Sequence, residues 1–172
     1  LAGVAVVSTI AIAIDWLQAT PLSSLIRESD WLFPAIECVH VIAFVTVVGS
    51  ISVVDLRLLG LASKTRPIED VVRGLLPITW IAFAVAASAG LLLFISKPVT
   101  YTHNFFFLGK MVLLVLAAAN MGVFHLVVQK TIAGAPAESP PPLIARASGA
   151  ASLALWIAIV AFGRWIGFTT LG

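Results

Sequence analysis

The chain is poor in charge and has almost no cysteine. Only 10% of its 172 residues are Asp, Glu, Lys or Arg, against roughly 25% in soluble domains. The single cysteine, Cys38, excludes an intrachain disulfide and any CxxC site. A formal net charge of +2, with no basic patch interleaved with aromatics, gives no basis for a nucleic-acid partner. There is no HExxH, GxSxG or Walker loop, so the sequence offers no catalytic motif. What it does have is apolar surface: 60% of residues are hydrophobic and the mean hydropathy is +1.10. A soluble fold of this size cannot hide that much apolar surface, so lipid has to solvate much of it.

Long hydrophobic runs divide the chain. Leu1–Ile14 is uncharged and closed by Asp15, short of the ~20 residues that cross a bilayer. With no A-x-A-like site after it, a truncated or tilted spanning helix is expected rather than a cleaved signal; an uncleaved signal's tail and an interfacial helix are the alternatives. Four better segments follow: A (Trp31–Val54), B (Gly74–Ser96), C (Phe105–Val128) and D (Ala147–Gly163). Unpaired backbone groups are not tolerated in lipid, so each segment is predicted to be a helix. Pro34 and Pro77 are placed in the first turns of A and B, where a missing N–H does little harm. Pro140-Pro141-Pro142 reads as a stiff, extended link before D. The expectation is an all-α fold: a polytopic transmembrane four-helix bundle plus an N-terminal helix, in one membrane domain with helices at 1–18, 31–56, 73–96, 104–130 and 143–169. No internal repeat is convincing.

The basic residues orient the bundle. Arg57, Lys64, Arg66, Arg73, Lys130 and Arg146 flank one side, and Arg27, Lys97 and Arg164 the other. The positive-inside bias therefore puts the A–B and C–D connections in the cytoplasm. Ser23–Phe33 mixes charge with Leu25, Ile26 and Trp31 and is expected along the outer interface. Trp31, Tyr101 and Trp165 suit an aromatic belt there.

Polar residues inside the segments share faces. On A, Glu37 and Asp55 each lie about 60° from His40. On C, His103, Lys110 and His125 fall within about 60° of one another, with Met121 among them. On D, Arg146 and Arg164 are about five turns apart and share an azimuth. A lipid-exposed charge costs a few kcal/mol, so A, C and D are expected to turn these faces inward. Glu37, His40 and Lys110 belong to the outer half, beneath His103, Lys97 and Arg164; His125, Asp55, Arg57, Asn120 and Arg146 belong to the cytoplasmic half. Gly49, Gly90, Ala117–Ala119 and Ser148–Ser152 are small enough to let helices approach or to leave room for a planar ligand.

The chemistry these groups suggest is a b-type haem or another metal centre in the outer half. Neutral imidazole ligates iron and copper, and two histidines on different helices can hold a porphyrin in a four-helix bundle. His40 with His103 is the favoured ligand pair, His40 with His125 the poorer one, and Arg164, Arg27 or Lys97 would hold propionates. The plainer reading competes at each residue. His40 bonds only to Glu37 or a facing backbone, His103 is interfacial, His125 is a helix-end residue complementing the dipole, and Lys110 pairs with Glu37 to join A to C. Asp55 and Arg57 are expected at a solvated helix end, Met121 in the core rather than on copper, and Cys38 as a small buried apolar residue. The tryptophans suit belts and packing, with a chlorophyll-type pigment on His40 or His125 as a further alternative.

Several stretches carry a resemblance. Leu32-Phe33-Pro34-Ala35-Ile36-Glu37-Cys38-Val39-His40, Val47-Val48-Gly49-Ser50 and Asp55-Leu56-Arg57-Leu58-Leu59-Gly60 lie on the first half of the chain. Leu75-Leu76-Pro77-Ile78-Thr79-Trp80, Tyr101-Thr102-His103-Asn104, Lys110-Met111 and Gly163-Arg164-Trp165 continue the pattern. Together they resemble a family of uncharacterised bacterial integral membrane proteins with four core helices, over about residues 15–170; Leu1–Ile14 departs from that pattern. More distantly, the chain is similar to copper-resistance D-type membrane proteins and to small haem-binding membrane proteins associated with protoporphyrinogen oxidation. Those likenesses imply His40 and Lys110 as site residues. The expected function is a haem b electron-transfer protein, or a subunit of a larger complex, in the bacterial inner membrane. Its partners would be the lipid bilayer and other membrane subunits or a periplasmic redox partner. A cofactor-free accessory subunit, and copper or proton passage through Glu37, His40 and Lys110, are the alternatives.

Overall fold

A computed structural model of the chain describes residues 2–63, 65–136 and 138–169, with side chains from residue 9 onward. Leu1 and Lys64, the latter among the basic residues used to orient the bundle, lie outside the described residues. The described residues are helical and contain no strand. In order they form α1 (Ala2–Gln18), α2 (Pro21–Glu28), α3 (Leu32–Leu58), α4 (Ile68–Ser96), α5 (Pro98–Thr102), α6 (Phe105–Val123), a π-helical turn (Phe124–Val128), α7 (Gln129–Ile132) and α8 (Leu143–Thr169). Four spans, Leu32–Leu58, Ile68–Ser96, Phe105–Ile132 and Leu143–Thr169, are long and apolar enough to cross a bilayer. The fold is that of a multi-pass membrane bundle. Thr9–Gln18 and Pro21–Glu28 form a pair bent by 55°, a fifth crossing if the pair counts as one span.

Helix α3 packs along α4, α6 along α8, and α3 and α8 join the two pairs. Two apolar clusters fill the interior. One, with Val54, Leu58, Val72, Phe124, Val128 and Ile132, lies where α3 ends and α4 begins. The other, with Val47, Ile51, Ala82, Trp156 and Ile159, occupies the middle of the bundle. Polar caps tie the opposite end. Asn104 Oδ1 accepts from the Phe106 and Phe107 amides at 2.9 and 3.1 Å, starting α6, while its Nδ2 donates to Thr169 Oγ1 at 2.7 Å on α8. Ser23 Oγ on α2 donates to the Ser96 carbonyl at 3.3 Å, and the Lys97 ammonium sits over Phe33. The Trp31, Lys97, Asn104 and Trp165 neighbourhoods therefore share one end, as the alternating loops predict.

Four expectations are corrected. Helix α4 starts at Ile68, because Glu69 and Asp70 in its first turn add a polar turn that suits the helix N-terminus. Pro77 is therefore inside α4, not in its first turn. Cys38 is exposed on α3 rather than buried. On α8 the buried face is Ala145, Ser148, Gly149, Ser152, Trp156 and Ile159, whereas Arg146 and Arg164 are both exposed. Their common azimuth exists, but it points away from the neighbouring helices.

Candidate functional site

Two polar layers occupy opposite ends of the bundle, separated by the central cluster of Val47, Ile51 and Trp156. At the Trp31 end, the His40 Nδ1 lies 2.8 Å from the Ala86 carbonyl of α4. A carbonyl only accepts, so Nδ1 carries the proton and Nε2 is left with its lone pair. Gly90 makes this approach possible: a Cβ there would stand 3.0 Å from His40 Cε1. The imidazole stacks on Phe44, ring centroids 6.1 Å apart, and the Lys110 ammonium lies 5.4 Å from the centroid of that same ring. Both Lys110 and Glu37 act electrostatically on His40. Lys110 reaches across to α8, where a Cβ on Gly163 would lie 3.6 Å from its Nζ. Glu37 is exposed and makes no ion pair with Lys110, whose ammonium rests on an aromatic face instead.

Above this group, Phe94, Tyr101 and Phe107 form an aromatic cluster. Tyr101 lies in the short α5, outside the four spans. Burial, and secondarily the Glu37 carboxylate, push its phenol above the ordinary tyrosine value, so it remains a neutral hydrogen-bonding group at physiological pH.

The remaining sequence candidates are dispersed. His103 caps the end of α5, exposed, its Nδ1 donating to Val99 O at 2.9 Å. His125 falls in the π-helical turn and donates from Nδ1 to Met121 O at 2.9 Å. It is fifteen residues beyond Lys110 on the same long span, roughly 22 Å along the axis, and so belongs to the other layer. Arg164 lies over Phe168 at 4.8 Å. Among the described residues, no group of three or more His, Cys, Asp or Glu is placed to hold a metal ion, and no hydrogen bond or ring contact links two histidines.

The second layer is the one sequence reasoning misjudged. Asp55 and Arg57, expected at a solvated helix end, are 3% and 2% exposed. Helix α3 ends in a Schellman arrangement, with Leu61 N bonding Leu56 O at 2.9 Å and Gly60 N bonding Arg57 O at 3.0 Å. Gly60 supplies the left-handed residue at φ 75°. The chain then folds back so that Arg57 Nε and Nη2 donate to the Arg66 carbonyl at 3.1 and 2.9 Å. Backbone thus holds this guanidinium on at least one side.

Asp55 faces α8. Its backbone carbonyl would stand 3.0 Å from a Cβ on Gly149, so the helices approach as closely there as glycine permits. Ser152 hydrogen-bonds the Asp55 carboxyl, while Oδ2 has no hydrogen-bond partner among the described residues. A buried polar atom left so costs about 1–3 kcal/mol. Around it, Asn120 Nδ2 donates to Ser148 O at 3.1 Å and Ser148 Oγ to Asn120 Oδ1 at 3.3 Å. Thr79 and Ser50 join their hydroxyls at 2.7 Å between α4 and α3. Their serine and threonine content reads in sequence as helix-packing glue; the usable signal was Asp55 itself, an acid on the same face as His40.

Taken together, four apolar spans with ionisable groups in their interior define a multi-pass membrane bundle with two internal polar layers. The chain belongs to DUF6644, a family of unknown function, which it matches over residues 31–169. No curated protein and no solved structure matches the chain.

Proposed function

We propose that this protein is an inner-membrane electron-transfer subunit that binds a b-type haem in the layer at the Trp31 end, with His40 as the anchoring ligand. The observation that carries the reading is the pairing of two unlike groups on one aromatic ring. His40 presents an Nε2 lone pair because its Nδ1–H is committed to Ala86 O, the outer-shell bond that orients metal-ligating histidines. Lys110 offers a cation without a carboxylate partner beside the same Phe44 ring. An imidazole lone pair suits an iron atom, and a nearby ammonium suits a propionate. When bound, the haem would supply one-electron chemistry. This chain's residues would fix the ring nitrogen, hold the carboxylate charge and keep the surroundings apolar. His103, on the same end, is the second ligand to test; His125 lies too far along its span to share an iron with His40.

A copper ion at His40 would be repelled by the Lys110 ammonium, so copper passage is the weaker reading. Proton passage draws instead on Glu37, His40 and Lys110 lying near one another. The likeness to copper-resistance D-type and small haem-binding membrane proteins supports His40 and Lys110 as the positions to vary. A haem-binding subunit in the bacterial inner membrane would work with other membrane subunits or a periplasmic redox partner; a cofactor-free accessory subunit is the remaining reading.

The test is the visible spectrum of protein purified from cells supplied with a haem precursor. A Soret band that disappears in His40→Ala and persists in His125→Ala is expected. Protein without a Soret band, or a band unchanged in His40→Ala, contradicts the proposal.

A further inference from the structure

The layer at the other end carries a separate inference. Asp55, Thr79, Asn120, Ser148 and Ser152, together with apolar residues such as Trp156, line a cavity of about 60 Å³ between α3, α4, α6 and α8. That is several times the about 10–15 Å³ that one enclosed water requires. Asp55 is 3% exposed, and its Oδ2 has no partner among the described residues. Among the described residues, Asp55 makes no ion pair. The Arg57 guanidinium donates to the Arg66 carbonyl from both Nε and Nη2.

We infer that this cavity is an intramembrane binding site for a small monovalent cation of the sodium class, with Asp55 as its charged ligand. Three features select that occupant. The polar groups of the wall are a carboxylate, hydroxyls and an amide, hard oxygen donors that suit alkali and alkaline-earth ions rather than transition metals. A single carboxylate neutralises one positive charge, so a divalent ion would leave a net charge buried in the membrane. Asp55 also lies in the last turn of α3, where the carbonyl end of the helix favours a cation. Asn120 and Ser148 are already bonded to each other, so Asn120 Oδ1 and the hydroxyls of Thr79 and Ser152 complete the oxygen-bearing wall without loose side chains. A second, more open hollow of about 470 Å³ between α3 and α4 is lined by Ala35, Val39, Ser88 and Leu92 among others and offers no charged group.

The experiment is equilibrium binding of radioactive ²²Na⁺ to the purified, detergent-solubilised full chain in choline chloride. Saturable binding near one ion per chain is expected, abolished in Asp55→Asn and weakened at least fivefold in Ser152→Ala and in Thr79→Val. His40→Ala should bind as the wild type does, which separates this site from the proposed haem layer. Absence of saturable ²²Na⁺ binding in the wild type overturns the inference, as does wild-type affinity in Asp55→Asn. If Asp55→Asn does not fold, wild-type affinity in both hydroxyl variants overturns it equally.

Discussion

The two ends of the bundle place ionisable groups in a membrane by different means. At the Trp31 end, Lys97, Lys110 and Arg164 lie over the rings of Phe33, Phe44 and Phe168, and Glu37 and His103 are exposed. Aromatic faces carry the positive charge there, and water at the interface does the rest. At the Asp55 end, two ionisable side chains are almost fully enclosed, and the groups around them are backbone carbonyls, hydroxyls and an amide. Small residues make that possible: Gly149, Ser148 and Ser152 bring α8 against α3. One layer is built by adding large rings, the other by removing side-chain volume. The space enclosed in the second, about 60 Å³, suits an ion or water.

Damage at the Asp55 end is therefore expected to be the more costly to the fold. The largest effect is expected from Arg57→Ala, which removes both hydrogen bonds that tie the α3–α4 connection at Arg66 O back onto α3. A loss of about 3 kcal/mol should appear as a lower unfolding temperature in detergent and faster proteolysis between α3 and α4. A thermal midpoint equal to the wild type would mean that the Arg57 anchor is dispensable. Gly149→Val comes next, because even a Cβ there stands 3.0 Å from Asp55 O and Leu58 Cβ. Overpacking of this kind costs about 1–3 kcal/mol, whereas Gly49→Val, with nothing within 4 Å of its Cβ position, should leave the same thermal midpoint unaltered. Equal destabilisation by both would remove the distinction between a close helix crossing and an open one.

At the Trp31 end the effects should be smaller on stability and larger on ligand binding. Gly90→Ala places a methyl group 3.0 Å from His40 Cε1 and should turn the imidazole away from Ala86 O. Haem occupancy, read from the Soret absorbance, should fall severalfold while the unfolding midpoint moves by no more than about 1 kcal/mol equivalent. Unaltered occupancy would show that the His40 orientation has no bearing on binding. The smallest effect concerns pH. Burial is the main cause that raises the Tyr101 value and Glu37 the secondary one, so ionisation of the only tyrosine should have its ultraviolet midpoint above ~10. Because the folded state resists forming the phenolate, this group's contribution is present below the unfolded tyrosine value and is lost as pH rises through the folded one. Glu37→Gln should lower the midpoint slightly without returning it to that of a free tyrosine. A midpoint unmoved by Glu37→Gln would place the two groups farther apart than the structure does.

The architecture was largely legible in the sequence, because lipid leaves a chain few choices and long apolar runs report them directly. The bounds of α8 were read as observed, at 143–169. The start of α4 was not, because its first turn is charged and an apolar window ends where the charges begin. The sites were less legible for a related reason. Helical spacing says which residues share a face, but not which way that face turns. It set His40 and Lys110 on inward faces without indicating the Phe44 ring they share, and it directed Arg146 and Arg164 inward when their face is exposed. Asp55 and Arg57 were read as solvated from their charge alone. Their burial depends on the Schellman turn at Gly60 and on the close crossing at Gly149, contacts between distant residues that no local pattern encodes. Short elements such as α2, α5 and the π-helical turn lack a periodic signal long enough to read.

The most direct test of two separate layers is a set of visible spectra of the wild type, His40→Ala and Asp55→Asn purified in parallel. The account predicts a Soret band in the wild type and in Asp55→Asn, and none in His40→Ala. A wild type without the band, or His40→Ala and wild-type spectra that coincide, would contradict it.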